Sequence, residues 1–152
     1  MASDRSSLLA LKNPICGKHM RMWPREVFDA MVDTDGGGKR LLARVLDEYL
    51  QKPGVYILYR DDVPYYIGQT VKLRSRLLKH ARDPNMRHYN FWNFFSAFVI
   101  PNRGHWDQVE AMLISAMPTA NSAKPKLERE KLPPKVIELL RKIRRQRVIL
   151  TA

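Results

Sequence analysis

At 152 residues the chain has room for one domain with a real core, but not for two full ones. Hydrophobic residues at 45% and a mean hydropathy of −0.40 describe an ordinary soluble globular protein, and no run approaches the roughly 18 apolar residues of a membrane span. The 27 Lys and Arg against 15 Asp and Glu give a net charge of +12, which excludes an acidic chain and points to anionic partners.

Residues 1–23 show no clear period. Pro24 suits the first turn of a short helix running to about Val32, where proline is tolerated. Asp35-Gly-Gly-Gly-Lys39 is expected to make a flexible break. Leu41, Leu42, Val45, Leu46 and Tyr49 then recur at three- and four-residue steps, predicting a helix from about Lys39 to Gln51 that Pro53 stops. Val55–Tyr59 and Tyr65–Ile67 are β-branched and aromatic, and the turn-forming residues between them predict a hairpin. A helix is expected over 71–82, a third strand over Phe94–Ile100, and a helix over 105–117 ended by Pro118. A final helix opens at Pro133–Pro134 and runs to about Val148.

The expected fold is therefore α/β (α+β), a small antiparallel three-stranded sheet flanked by helices. It divides into a helical extension (1–52), a core (53–121) and a basic linker and helix (122–152) that should pack on the core. The last of these holds 10 basic and 3 acidic residues, more than half of the excess charge. Such clustering is the footprint of phosphate contact, or else a solvated helix that keeps the protein soluble. The N-terminus lacks the apolar core of a secretory signal, and Cys16 has no intrachain partner. A reducing, cytoplasmic location is expected.

Glu110 shares its helical stripe with Trp106, Leu113, Ile114 and Met117. A carboxylate there must be paired, hydrogen-bonded or bound to metal; a structural ion pair at the stripe's edge is the plainer alternative. Arg76 and His80 are four apart on the helix 71–82 and share a face, within a basic stretch that includes Lys72, Arg74 and Lys79. Tyr56 and Tyr66 lie on neighbouring strands, where they could also be simple cross-strand partners. Gly36–Lys39 lacks the spacing of a phosphate loop, and Cys16 with His19 completes no zinc site. The aromatic run from Tyr89 to Phe95 is assigned to the core, with base stacking left open for Tyr89 and Trp92.

Gly54-Val55-Tyr56, then Tyr66-Ile67-Gly68 after nine residues, Arg76 ten positions past Tyr66, His80, Glu110 and Asn121 stand in an order that resembles the GIY-YIG nuclease superfamily. The likeness covers Gly54 to about Asn121; valine replaces the usual central isoleucine of the first tripeptide, and the gap is slightly short. The resemblance implies a metal-dependent endonuclease acting on DNA, with RNA also open as substrate. It implies Tyr56 as general base, Tyr66 orienting water or phosphate, Arg76 stabilising the transition state and His80 supporting them. Glu110 would hold Mg2+ or Mn2+, and Asn121 would hold the site together. Phosphate contacts are expected from Lys72, Arg74, Lys79, Arg141, Lys142, Arg144 and Arg145. With little room for a separate DNA-binding domain, a compact standalone enzyme of restriction, defence or repair is expected. A homodimer would let two strands be cut, and no membrane partner is expected. Two readings compete: a non-catalytic nucleic-acid-binding protein that keeps the fold, and a basic partner-binding protein acting through helix 134–148.

Overall fold

The computed structural model describes residues 13–28, 46–121 and 127–150. Four strands, β1 (Lys18–Pro24), β2 (Gly54–Arg60), β3 (Val63–Thr70) and β4 (Phe94–Val99), form one antiparallel sheet in the order β1-β4-β2-β3. Residues 46–50 are helical (α1), followed by α2 (Leu73–Arg82), α3 (Trp106–Ala116) and α4 (Pro134–Leu150). None of the described helices is long and apolar enough to cross a membrane.

Central strand β2 is buried on both faces over its first five residues, so its β-branched and aromatic side chains feed two cores. Tyr56 and Leu58 face α2, where Leu73, Leu77 and Ala81 pack with Trp92 and Phe95. Val55 and Ile57, with Ile67 of β3, face the opposite way against Trp106, Val109, Leu113 and Ile114 of α3. Burying each such aliphatic side chain contributes about 1.5–3 kcal/mol. The β2–β3 turn is closed by Asn93: its Oδ1 accepts the Asp61 N–H (2.7 Å) and its Nδ2 donates to Asp61 Oδ1 (2.9 Å). Asp61 sits at φ 55°, a left-handed position that aspartate tolerates.

Three expectations need correction. The sheet has four strands, not three, because residues 18–24 form β1. Among the described residues this strand pairs only with β4, its register shifts between Met20 and Trp23, and Met22 stands at φ 53°. An edge strand with a bulge keeps no clean alternation for the eye to find. Secondly, Pro24 closes β1 rather than opening a helix; a single 3-10 turn, Arg25–Phe28, follows it. Most of the expected helix 39–51 and the rest of the turn to Val32 lie outside the described residues, and the described part of the former, 46–50, is helical with Leu46 and Leu50 buried. Thirdly, the aromatic run divides: Trp92 and Phe95 are core, but Phe91 is 55% exposed.

Helix α4 exists as expected, but its side chains from 134 to 146 are all exposed, including Val136, Ile137, Leu139, Leu140 and Ile143. Its apolar stripe has no cover from the core among the described residues.

Candidate active site

Tyr56 is the centre of the arrangement. Its side chain is fully buried, its hydroxyl lies 2.8 Å from His80 Nε2, and Arg76 Nε donates to the same oxygen at 3.3 Å. Helix periodicity supplies both partners: Leu73, Leu77, His80 and Ala81 make the buried face of α2, and Arg76 sits beside it. Gly68 faces Tyr56 across the β2–β3 pair and has no side chain, so the tyrosine ring lies directly on its backbone. A Cβ at Gly68 would fall 2.5 Å from Tyr56 Cζ and 2.9 Å from Cε1. The other motif glycine, Gly54, brings β2 against β4: a Cβ there would stand 2.9 Å from the Phe98 carbonyl carbon. Glycine is therefore a packing requirement at both ends of the tripeptide pair.

The electrostatics follow from burial. Desolvation pushes the Tyr56 hydroxyl well above its ordinary value; the Arg76 hydrogen bond pulls it partly back, and nearby Tyr66 and Glu110 add to the rise. Its bond to Tyr56 is the main cause that raises Arg76, which stays cationic. Burial, then the charges of Arg76, His88 and Lys79, lower His80 to about 4, so its imidazole is neutral at pH 7. Among the described residues the only acceptor for the Tyr56 hydroxyl proton is His80 Nε2, which places the imidazole proton on Nδ1. That Nδ1 is buried and has no partner among the described residues. Tyr66 stands at the same face, its ring 6.2 Å from Tyr56, 5.9 Å from His80 and 4.8 Å from His88.

Glu110 comes from the other side of the sheet. It is half-buried on α3 and accepts from Gln69 Nε2 at 2.9 Å; the same amide also reaches Asp107 Oδ1 at 2.8 Å. Burial raises the Glu110 carboxyl, the Asp107 charge raises it further, and Gln69 opposes both. A cleft of about 390 Å³, lined by Gln69, Thr70, Val71, Arg103, Trp106 and Asp107, opens beside this pair. Edge strand β3 thus separates the Tyr56, Arg76 and His80 cluster from the carboxylates. Its hydroxyl end resting on Gly68, Tyr56 lies close enough for Glu110 to weigh on its ionisation.

Asn121 clasps that strand. Its Oδ1 accepts the Ile67 N–H at 3.0 Å and its Nδ2 donates to the Ile67 carbonyl at 2.7 Å. The side-chain amide takes the place of a neighbouring strand on this edge, and the adjacent Ala120 N–H extends the cover by donating to the Tyr65 carbonyl at 2.8 Å.

Of the basic residues expected to contact phosphate, Lys72, Lys79, Arg141, Lys142, Arg144 and Arg145 are exposed. Arg74 differs: it is half-buried and ion-paired with Asp47. Gln69, Asp107 and His88 were missed by sequence reasoning. The i, i+3 interval of Asp107 and Glu110 and the place of Gln69 beside Gly68 were available as signals. His88 carried none.

Glu110 fits a divalent cation in a limited way. Among the described residues no group of three or more His, Cys, Asp or Glu side chains could cage an ion. A half-buried carboxylate beside a cleft, with waters and phosphate oxygens supplying the rest, matches how Mg2+ is commonly held.

An antiparallel sheet with a Tyr/Arg/His cluster and a helix-borne carboxylate across its edge strand has the make-up of a nuclease catalytic domain. The sequence model of the GIY-YIG catalytic domain matches residues 52–132, and the chain belongs to that family. Among curated proteins it is 37% identical over 59 residues to the UvrABC system protein C of Methanosphaera stadtmanae, covering 32% of this chain and 10% of that protein. It is 41% identical over 46 residues to excinuclease cho of Escherichia coli K12, covering 29% and 16%. The chain thus spans a small part of the length of these relatives. Among solved structures, the GIY-YIG N-terminal endonuclease domain of UvrC from Thermotoga maritima, bound to magnesium, aligns at 27% identity with a TM-score of 0.41, covering 48% of this chain and 86% of that one.

Proposed function

We propose that this protein is a metal-dependent DNA endonuclease that hydrolyses phosphodiester bonds, with a role in DNA incision during repair. The observation that carries the reading is the Tyr56 hydroxyl, held at 2.8 Å by neutral His80 and at 3.3 Å by cationic Arg76, beside a Gln69-tethered Glu110. The named similarity to excision nucleases favours repair over restriction.

In this mechanism Tyr56 accepts a proton from the attacking water as its own hydroxyl proton passes to His80 Nε2. Left alone, burial keeps Tyr56 as the protonated phenol, so its release of that proton depends on positive charge arriving with the substrate complex. Arg76 already supplies part of that charge and would also meet the phosphoryl oxygens as negative charge develops on them. Tyr66 orients the phosphate or water from the same face. Glu110 would hold the cation, Mg2+ or Mn2+, which when bound polarises the phosphate and stabilises the leaving oxygen. Gln69 fixes the carboxylate's direction, and Asn121 holds the strand that carries Tyr66 and Gly68. Lys72, Lys79 and the basic face of α4 would supply salt-dependent affinity for the DNA backbone.

The test is incubation of supercoiled plasmid with the protein, with and without Mg2+ or Mn2+, beside Glu110→Ala. Metal-dependent nicking or linearisation that vanishes in the variant is expected. Equal binding by both proteins without cutting would overturn the catalytic reading in favour of a non-catalytic binding protein.

A further inference from the structure

Next to the catalytic cluster lies an aromatic surface that the proposed chemistry does not use. Between Leu58 and Tyr59 of β2 the pairing with β3 shifts, from Leu58–Tyr66 to Tyr59–Pro64, and Tyr65 is the extra residue. This bulge lets consecutive residues Tyr65 and Tyr66 both contact His88, at ring distances of 5.1 and 4.8 Å. Phe91 then stacks on Tyr65, with centroids 5.2 Å apart and planes within 14°. Phe91 remains 55% exposed, though its neighbour Trp92 is buried. Leaving a phenylalanine half in water forgoes burial energy that a core position would have supplied. Exposed Arg87 lies close enough to act on the buried His88.

We infer that Phe91, backed by Tyr65, is a stacking platform for an unpaired nucleobase of the DNA substrate. The inference rests on the nuclease reading and narrows its substrate class to DNA with an unpaired base near the cut. Three features favour a base over an apolar protein segment. The exposed surface is one ring on a parallel second ring, the geometry on which bases stack without sequence preference. His88 joins it directly to Tyr66. An arginine beside it can meet the adjoining phosphate.

The test uses the full chain carrying Glu110→Gln to prevent cutting, and an oligonucleotide duplex with a short unpaired region containing 2-aminopurine. Quenching of the 2-aminopurine fluorescence on binding is expected. Adding Phe91→Ala should abolish the quench and weaken binding about 5- to 150-fold, the range for one base–aromatic stack. Phe91→Trp should restore both, and a fully paired duplex should respond far less to either change. Unchanged quenching and affinity in Phe91→Ala would overturn the platform. Cutting by the otherwise unaltered protein is scored separately with metal. Phe91-dependent quenching without any cutting would uphold the platform and sink only the nuclease.

Discussion

Replacing Gly68 by alanine puts one methyl group against the most constrained side chain of the site. The new Cβ would lie 2.5 Å from Tyr56 Cζ, whereas carbon atoms rest at about 3.5–4.0 Å, so the ring must retreat by about 1 Å. Tyr56 is fully buried between the sheet and α2 and has little room to yield. Overpacking of this kind costs about 1–3 kcal/mol. The same retreat would stretch the 2.8 Å bond to His80 or the 3.3 Å bond from Arg76 beyond useful length. A 1 Å misplacement of a reacting group can cost about 100-fold in rate. Thermal unfolding and single-turnover cleavage of a labelled duplex read the two effects separately. Gly17→Ala is the control, because an added Cβ there meets nothing within 4 Å. A Gly68→Ala protein with the stability and cleavage rate of the wild type would refute the argument that glycine is required by the tyrosine lying on it.

Further outcomes follow from the same geometry. Tyr56→Phe should lower the cleavage rate about 100- to 10,000-fold by removing the proton acceptor, with binding retained in a gel-shift assay. Arg76→Ala should lose about 100- to 1000-fold in rate, whereas Arg74→Ala should lose mainly its partly exposed pair with Asp47, about 0–1 kcal/mol in denaturant unfolding. Asn121→Ala leaves the Ile67 N–H and carbonyl without their side-chain partners and should cost about 1–3 kcal/mol by the same measurement. His80 binds its proton more weakly when folded (about 4) than when unfolded (6.5), so the unfolded chain holds more protons between these values. Stability from this group is complete above about pH 6.5 and is lost as pH falls through about 4; melting temperatures across pH 4–7 should show it, and His80→Gln should flatten that slope.

Much of the frame was legible in the sequence because β2, β3 and β4 carry β-branched and aromatic runs, and α2 and α3 carry apolar residues at helical steps. Strand β1 was hidden because it is a bulged edge strand with little buried besides Met20. The helical interval of Arg76 and His80 put them on one face, but nothing local shows that both reach Tyr56, 20 and 24 positions earlier in the chain. The Gln69 bridge to Glu110 and the Asn121 clasp on Ile67 join residues 41 and 54 positions apart. Such contacts depend on which strand lies at the edge, which a local pattern does not encode. Phe91 departs from its aromatic neighbours for the same reason: the bulge at Tyr65, not its own sequence context, gives it a surface partner.

The most direct test of the central claim separates binding from chemistry at Glu110. Affinity for a DNA duplex and the single-turnover cleavage rate would be measured for wild type and Glu110→Gln in Mg2+. If Glu110 holds the cation needed for phosphodiester hydrolysis, the variant binds DNA about as tightly as the wild type while cutting falls to background. A Glu110→Gln protein that still cuts in Mg2+ at the wild-type rate would contradict the account.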